Sequence, residues 1–220
     1  ITYVPALLFG LVWSGLVEAP SLILPLGLVT AILAAVTIYC TGMIYASLPT
    51  IRAWAQPLTV PVYLAFALAT GSALLAAISF AFDRLQAFQI IFTVAALAVL
   101  FVLKFLYWRA VDTAPKTHTM GSATGLGRIG EVRQWELPHT ATNFVQSEMG
   151  YVVARRHAQK LRRFVFILLA FALAAMLLAL VIPALVIVAA IAVLAAAAVE
   201  RWLFFAEAQH VSTLFYGAPN

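Results

Sequence analysis

Hydrophobic positions along the chain gather into long runs, and the polar residues collect where those runs end. The first four runs are Ile1 to Val17, Leu22 to Ala46, Leu58 to Phe82 and Gln86 to Trp108. An α-helix needs about 20 apolar residues to cross a hydrocarbon core, and Leu58 to Phe82 would make a helix of about 37 Å, enough to span with some tilt. Each run is therefore read as a crossing. The breaks fall at Glu18, Ala19 and Pro20, at Leu48 and Pro49, at Gln56 and Pro57, and at the charged Asp83 and Arg84. The last apolar region, Phe164 to Phe205, would extend about 63 Å as one helix, roughly twice the bilayer core. Pro183, near its middle, cannot donate the helical hydrogen bond, so the region reads as two antiparallel helices, Phe164 to Ile182 and Ala184 to Phe205. The pattern predicts an all-α, polytopic integral membrane helix bundle with six visible transmembrane helices. Ile1 already lies inside an apolar run, with no initiator Met or charged segment ahead of it, so the first helix is read as truncated.

Three regions follow: four helices over 1–108, a polar loop over 109–163, and a helical hairpin with its tail over 164–220. Composition agrees with the membrane reading. At 65% apolar and 10% charged the chain departs from soluble averages of about half and a quarter, and the mean hydropathy is +1.03. The loop carries Arg109, Lys116, Arg128, Arg133, Arg155, Arg156, Lys160, Arg162 and Arg163 against Asp112, Glu131, Glu136 and Glu148, which accounts for the whole net charge of +5. Following the crossings, Arg52, Lys104 and Arg201 fall on the same side and Arg84 on the other, a ratio of 12 to 1. The positive-inside rule then places the loop and the carboxyl terminus in the cytoplasm, with Trp54, Tyr107, Trp108 and Trp202 as interfacial anchors. This asymmetry explains a pI near 9.7 without nucleic acid as a partner.

The residues that could carry a cofactor are few. Cys40 is the single cysteine, so the chain can close no internal disulfide and cannot ligate an iron–sulfur cluster. His118, His139, His157 and His210 all lie in the loop or past the last run, leaving no span with a histidine to hold haem, and their spacing matches no compact zinc pattern. No metal site is expected.

The segment Gly125-Leu126-Gly127-Arg128-Ile129-Gly130 spells a dinucleotide fingerprint, but that pattern has meaning only after a strand in a βαβ unit, and a membrane helix precedes it here. With Gly121 and Ser122, these glycines are read as letting irregular backbone approach another surface closely. Glu148 to Arg163 reads as a short basic helix entering the membrane. Its cations serve either as headgroup anchors or, with Gly125, Gly127, Arg128, Arg133, Arg155 and Arg156, as a docking surface for an acidic partner. Ionisable residues beside a membrane helix carry a functional hypothesis by default. Glu200, Arg201, Glu207 and His210 cluster at the end of the last helix, across from Tyr45 and Arg52, with Thr37, Tyr39 and Thr41 deeper. Helix-end salt bridges are one account of them. The other is a quinone pocket, in which a carboxylate or histidine exchanges protons and Tyr or Arg hydrogen-bonds a carbonyl.

Four stretches share a further property: Tyr39-Cys40-Thr41-Gly42-Met43-Ile44-Tyr45-Ala46, Gly121-Ser122-Ala123-Thr124-Gly125-Leu126-Gly127-Arg128, Glu148-Met149-Gly150-Tyr151, and Glu200-Arg201-Trp202-Leu203-Phe204-Phe205-Ala206-Glu207. Together they resemble the membrane-anchor subunit of the dimethyl sulfoxide reductase type, most closely the anchor of cytoplasmic sulfite dehydrogenase complexes. The resemblance runs through nearly the whole chain. It implies an eight-helix, haem-free anchor that holds an iron–sulfur electron-transfer subunit and a molybdopterin catalytic subunit and exchanges electrons with membrane quinone. The metal chemistry would then reside on the partners, with sulfite oxidation or S-oxide reduction as the reaction. The family's quinone-linked histidine and acidic positions lie around helices that are mostly absent here, so no residue is carried over for that role. A multi-pass transporter is the alternative, although its class places charged groups at midplane. A b-type cytochrome anchor is the third reading, separable by a Soret band.

Overall fold

A computed structural model describes residues 1–114, 119–133, 135–136 and 152–211, excluding the side chains of residues 152–155. His118, His139 and the stretch from Glu148 to Tyr151 lie outside the described residues, as does the Arg155 side chain. The helices are α1 (Tyr3–Trp13), α2 (Ile23–Ala46), α3 (Thr59–Ala81), α4 (Ala87–Thr113), α5 (Met120–Thr124), α6 (Val152–Leu178) and α7 (Leu185–Ala206), with 3-10 turns at Pro20–Leu22 and Leu126–Arg128. Among the described residues no strand forms. One isolated antiparallel bridge joins Ile51 to His210.

Among the described residues, five helices are long and apolar enough to cross a membrane. The first run differs from expectation, because α1 has 11 residues. At 1.5 Å per residue it covers about 16 Å, half of a hydrocarbon core. The chain leaves the helix at Ser14, and Gly15 takes a φ of 77°, a left-handed conformation that ends it. The other sequence-derived boundaries lie within a few residues of the observed ones, with two exceptions. Helix α4 continues past Trp108 to Thr113, and α6 starts at Val152, so the basic entry segment and the apolar span form one rod of about 40 Å. Pro183 sits in the turn between α6 and α7.

Helices α3, α4, α6 and α7 close a ring: α6 packs on α7, α7 on α3, α3 on α4, and α4 on α6. Helix α2 lies outside against α3, and α1 against α2. Many interior positions are small, beside a few large ones such as Leu97, Leu100, Leu169 and Met176. Ala69, Ala73 and Ala76 of α3, Ala172 of α6, and Ala189 and Ala196 of α7 have no solvent exposure, while Leu75, Ile78, Ile91, Val99, Ile167 and Phe171 point outward. A soluble globule reverses this order and does not expose so much contiguous apolar surface. Alanines along the seams and large apolar residues on the outer surface suit helices that associate by close backbone approach in lipid. The chain is a helical membrane protein.

The seam between α2 and α3 depends on one such residue. A Cβ at Gly42 would stand 3.3 Å from the Val60 Cα and Cγ2. Gly42→Leu should therefore push α2 off α3 and lower stability by about 1–3 kcal/mol, the usual cost of overpacking. Thermal unfolding in detergent would register it, and an unchanged midpoint would mean that α2 is held by something else.

Candidate functional site

Chemistry-bearing side chains meet at the end of the ring where α3, α6 and the connector 47–58 begin and where α4 and α7 finish. The connector folds across this end. Trp54 Nε1 donates to the Phe204 carbonyl at 2.9 Å, the Tyr107 hydroxyl donates to the Ala53 carbonyl at 2.9 Å, and Arg52 Nη1 donates to the Ala114 carbonyl at 2.9 Å. The Val211 N–H donates to the Thr50 carbonyl at 3.0 Å, beside the Ile51–His210 bridge. Pro49 and Pro57 prevent the connector from continuing either helix, which frees its backbone for these bonds.

Beneath that cap lies a buried ionic cluster. Lys104 on α4 donates through Nζ to Glu200 Oε1 on α7, and Arg201 Nε donates to Glu200 Oε2 at 2.5 Å. The Lys104 and Glu200 side chains are 1% and 0% exposed. The Lys104 ammonium also lies 4.0 Å from the Tyr107 ring centroid and 4.3 Å from that of Trp108, where the negative ring faces attract a cation. The Arg201 guanidinium carbon sits 4.1 Å from the Tyr63 ring and 4.6 Å from the Phe204 ring. Its Nη1 and Nη2 are buried and meet no acceptor among the described residues. Two cations share one carboxylate, so the cluster carries an excess positive charge in a site where charge is expensive.

A second ionic joint lies nearer the surface. Arg162 of α6 donates through Nη1 to both Asp112 oxygens at 2.9 Å, and through Nε and Nη2 to Glu207 at 2.8 and 3.1 Å. One guanidinium fork thereby ties α6 to the last turn of α4 and to the C-cap of α7, and the fork geometry matches two carboxylates at once.

The structure brings together three of the six residues expected at a quinone pocket. Tyr45 stacks on Tyr63 at 5.8 Å and meets Trp54 and Phe204 edge-on at 5.0 and 5.3 Å, and Arg201 lies over two of the same rings beside Glu200. The other three are engaged elsewhere: Arg52 on the end of α4, Glu207 on Arg162, and His210 at the bridge to Ile51. Near Tyr45, a groove of about 440 Å³ runs between Tyr39, Met43, Gln56, Pro57 and Val60.

Among the residues expected at a docking surface, Arg128, Arg133 and Arg156 are exposed. Arg133 pairs with Glu131 at 3.3 Å in open solvent, where an ion pair contributes little. Gly125 takes a φ of 72°, and Gly121 and Gly127 approach one another so closely that a Cβ on Gly121 would stand 3.0 Å from the Gly127 Cα. The close approach of these glycines is thus within their own turn. Gly121 lies on a one-turn helix capped by Thr119 and Ser122, Gly125 at its end and Gly127 in the 3-10 turn that follows, and no strand precedes them among the described residues. Also among the described residues, no three of His, Cys, Asp and Glu converge to hold a metal ion.

Sequence reasoning counted Lys104 only as a charge and missed it as the partner of Glu200. A signal was present: a lone cation within an apolar run, followed three and four residues later by Tyr107 and Trp108. The joint from Arg162 to Asp112 spans 50 positions and had no comparable local sign. Comparison with protein-family models, with curated proteins and with solved structures finds no match.

Proposed function

We propose that the chain is the membrane anchor of a molybdopterin oxidoreductase complex, holding an iron–sulfur subunit on its basic face and exchanging electrons with quinone in a bacterial inner membrane. Sulfite oxidation or S-oxide reduction would occur on the catalytic partner. On this reading the basic end faces the cytoplasm, and α1 is the visible part of a further crossing in an eight-helix bundle. The four resembling stretches support the family. The observation that carries the quinone role is the Arg201 guanidinium, with two nitrogens that meet no acceptor among the described residues and aromatic rings on its flanks. A quinone carbonyl is a flat acceptor that suits such a donor, and Glu200 is a carboxylate beside it for proton exchange.

Arg201→Leu removes the donor and leaves Lys104 and Glu200 as a neutral pair, so assembly should persist. The KM for quinone in the intact complex should rise on the order of tenfold or more, the loss expected when a hydrogen bond to a charged group is removed. An unchanged KM at normal complex yield would remove Arg201 from the site.

A transporter is the second reading, favoured by one observation. Charges buried inside a bundle, as Lys104 and Glu200 are, mark ion or substrate pathways in that class. Specific solute uptake by reconstituted protein would support it over the anchor.

A further inference from the structure

Helix α6 changes character along a single face. Arg156, Lys160 and Arg163, spaced four and three residues apart, are exposed, and the same face continues into exposed Ile167 and Phe171. Arg162 and Val165, on the opposite face, are buried in the bundle. The three outward cations have no carboxylate partner among the described residues, whereas the inward Arg162 has two. At 1.5 Å per residue the cations span about 10 Å directly above the lipid-facing apolar strip.

We propose that this face binds an anionic phospholipid, with the phosphate held by Arg156, Lys160 and Arg163 and an acyl chain along Ile167 and Phe171. A soluble acidic partner would match the cations but would have no use for the apolar continuation below them. A phospholipid matches both with one molecule, and basic side chains immediately outside a transmembrane helix are suited to anionic headgroups. The inference does not depend on the quinone reading.

The test reconstitutes the protein in vesicles of phosphatidylcholine with a minor fraction of phosphatidylglycerol, extracts it in mild detergent and counts the retained lipids by mass spectrometry. The unaltered chain should retain phosphatidylglycerol above its input share, and R156Q/K160Q/R163Q should bring it back to the input share, the loss expected when three headgroup contacts are removed. Arg128→Gln with Arg133→Gln should keep it. For the unaltered chain, which needs no variant to fold, high salt during extraction should reduce the enrichment, because exposed charges are screened. Equal enrichment in the triple variant, or enrichment indifferent to salt, would overturn the proposal. So would a triple variant that keeps its lipid but loses a soluble protein partner.

Discussion

Glu200→Gln is expected to destabilise the bundle by about 3–5 kcal/mol, the range for removing one partner from a buried ion pair. The direction follows from counting charges. Among the described residues Glu200 is the one carboxylate that touches both Lys104 and Arg201, and its side chain has no exposure. Without it two cations remain side by side in the interior, with ring faces as their remaining compensation. Lys104→Met should behave differently. It leaves Glu200 paired with Arg201, a balanced pair, and exchanges an ammonium for a side chain of similar length among apolar neighbours, so its cost should be well below that of Glu200→Gln. Unfolding of the purified protein in mixed detergent micelles would rank the two. Equal losses would show that the excess charge is compensated by something other than Glu200.

The second large effect belongs to Arg162. Replacing it with Met is expected to cost about 2–4 kcal/mol, because Glu207 would be left nearly buried without its donor and α6 would lose its ionic ties to α4 and α7. Exposure decides the order of the partners. The Glu207 side chain is 15% exposed and that of Asp112 is 52% exposed. Water can replace the guanidinium at Asp112 but much less readily at Glu207, so Asp112→Asn should cost under about 1 kcal/mol and Glu207→Gln more. A double-mutant cycle between Arg162 and Glu207 would isolate their coupling. A coupling near zero would leave the joint without a structural role.

Much of the helical framework was legible in the chain because hydrocarbon leaves the backbone few choices. Pro183, Pro57, and the pair Asp83 and Arg84 marked the turns, and α2, α3 and α7 end within a residue or two of the predicted limits. The apparent division of α6 at Arg163 has a physical origin. The change from Arg163 to Phe164 is a change of surroundings, from headgroups to acyl chains, and a helix can pass through it unbroken. The end of the first run was harder to read: its composition resembles that of the others, and a left-handed Gly15 decides where the helix stops.

The site was less legible than the framework. Lipid and protein interior both accept apolar side chains, so hydropathy does not reveal which way each helix is rotated. That rotation brings Lys104 to Glu200, 96 positions away, and turns Glu207 toward Arg162. The seven-residue spacing between Glu200 and Glu207 suggested one shared cluster, yet each carboxylate meets its own cation. The small residues Ala65, Ala69, Ala73 and Ala76 were the available clue to rotation, since they lie along the buried face of α3.

Purification from native membranes in mild detergent tests the central proposal most directly. The anchor reading expects the chain to emerge together with an iron–sulfur subunit and a molybdenum-containing subunit, in a complex that reacts with quinone. A chain that repeatedly emerges alone, from membranes in which such subunits are present, would contradict it.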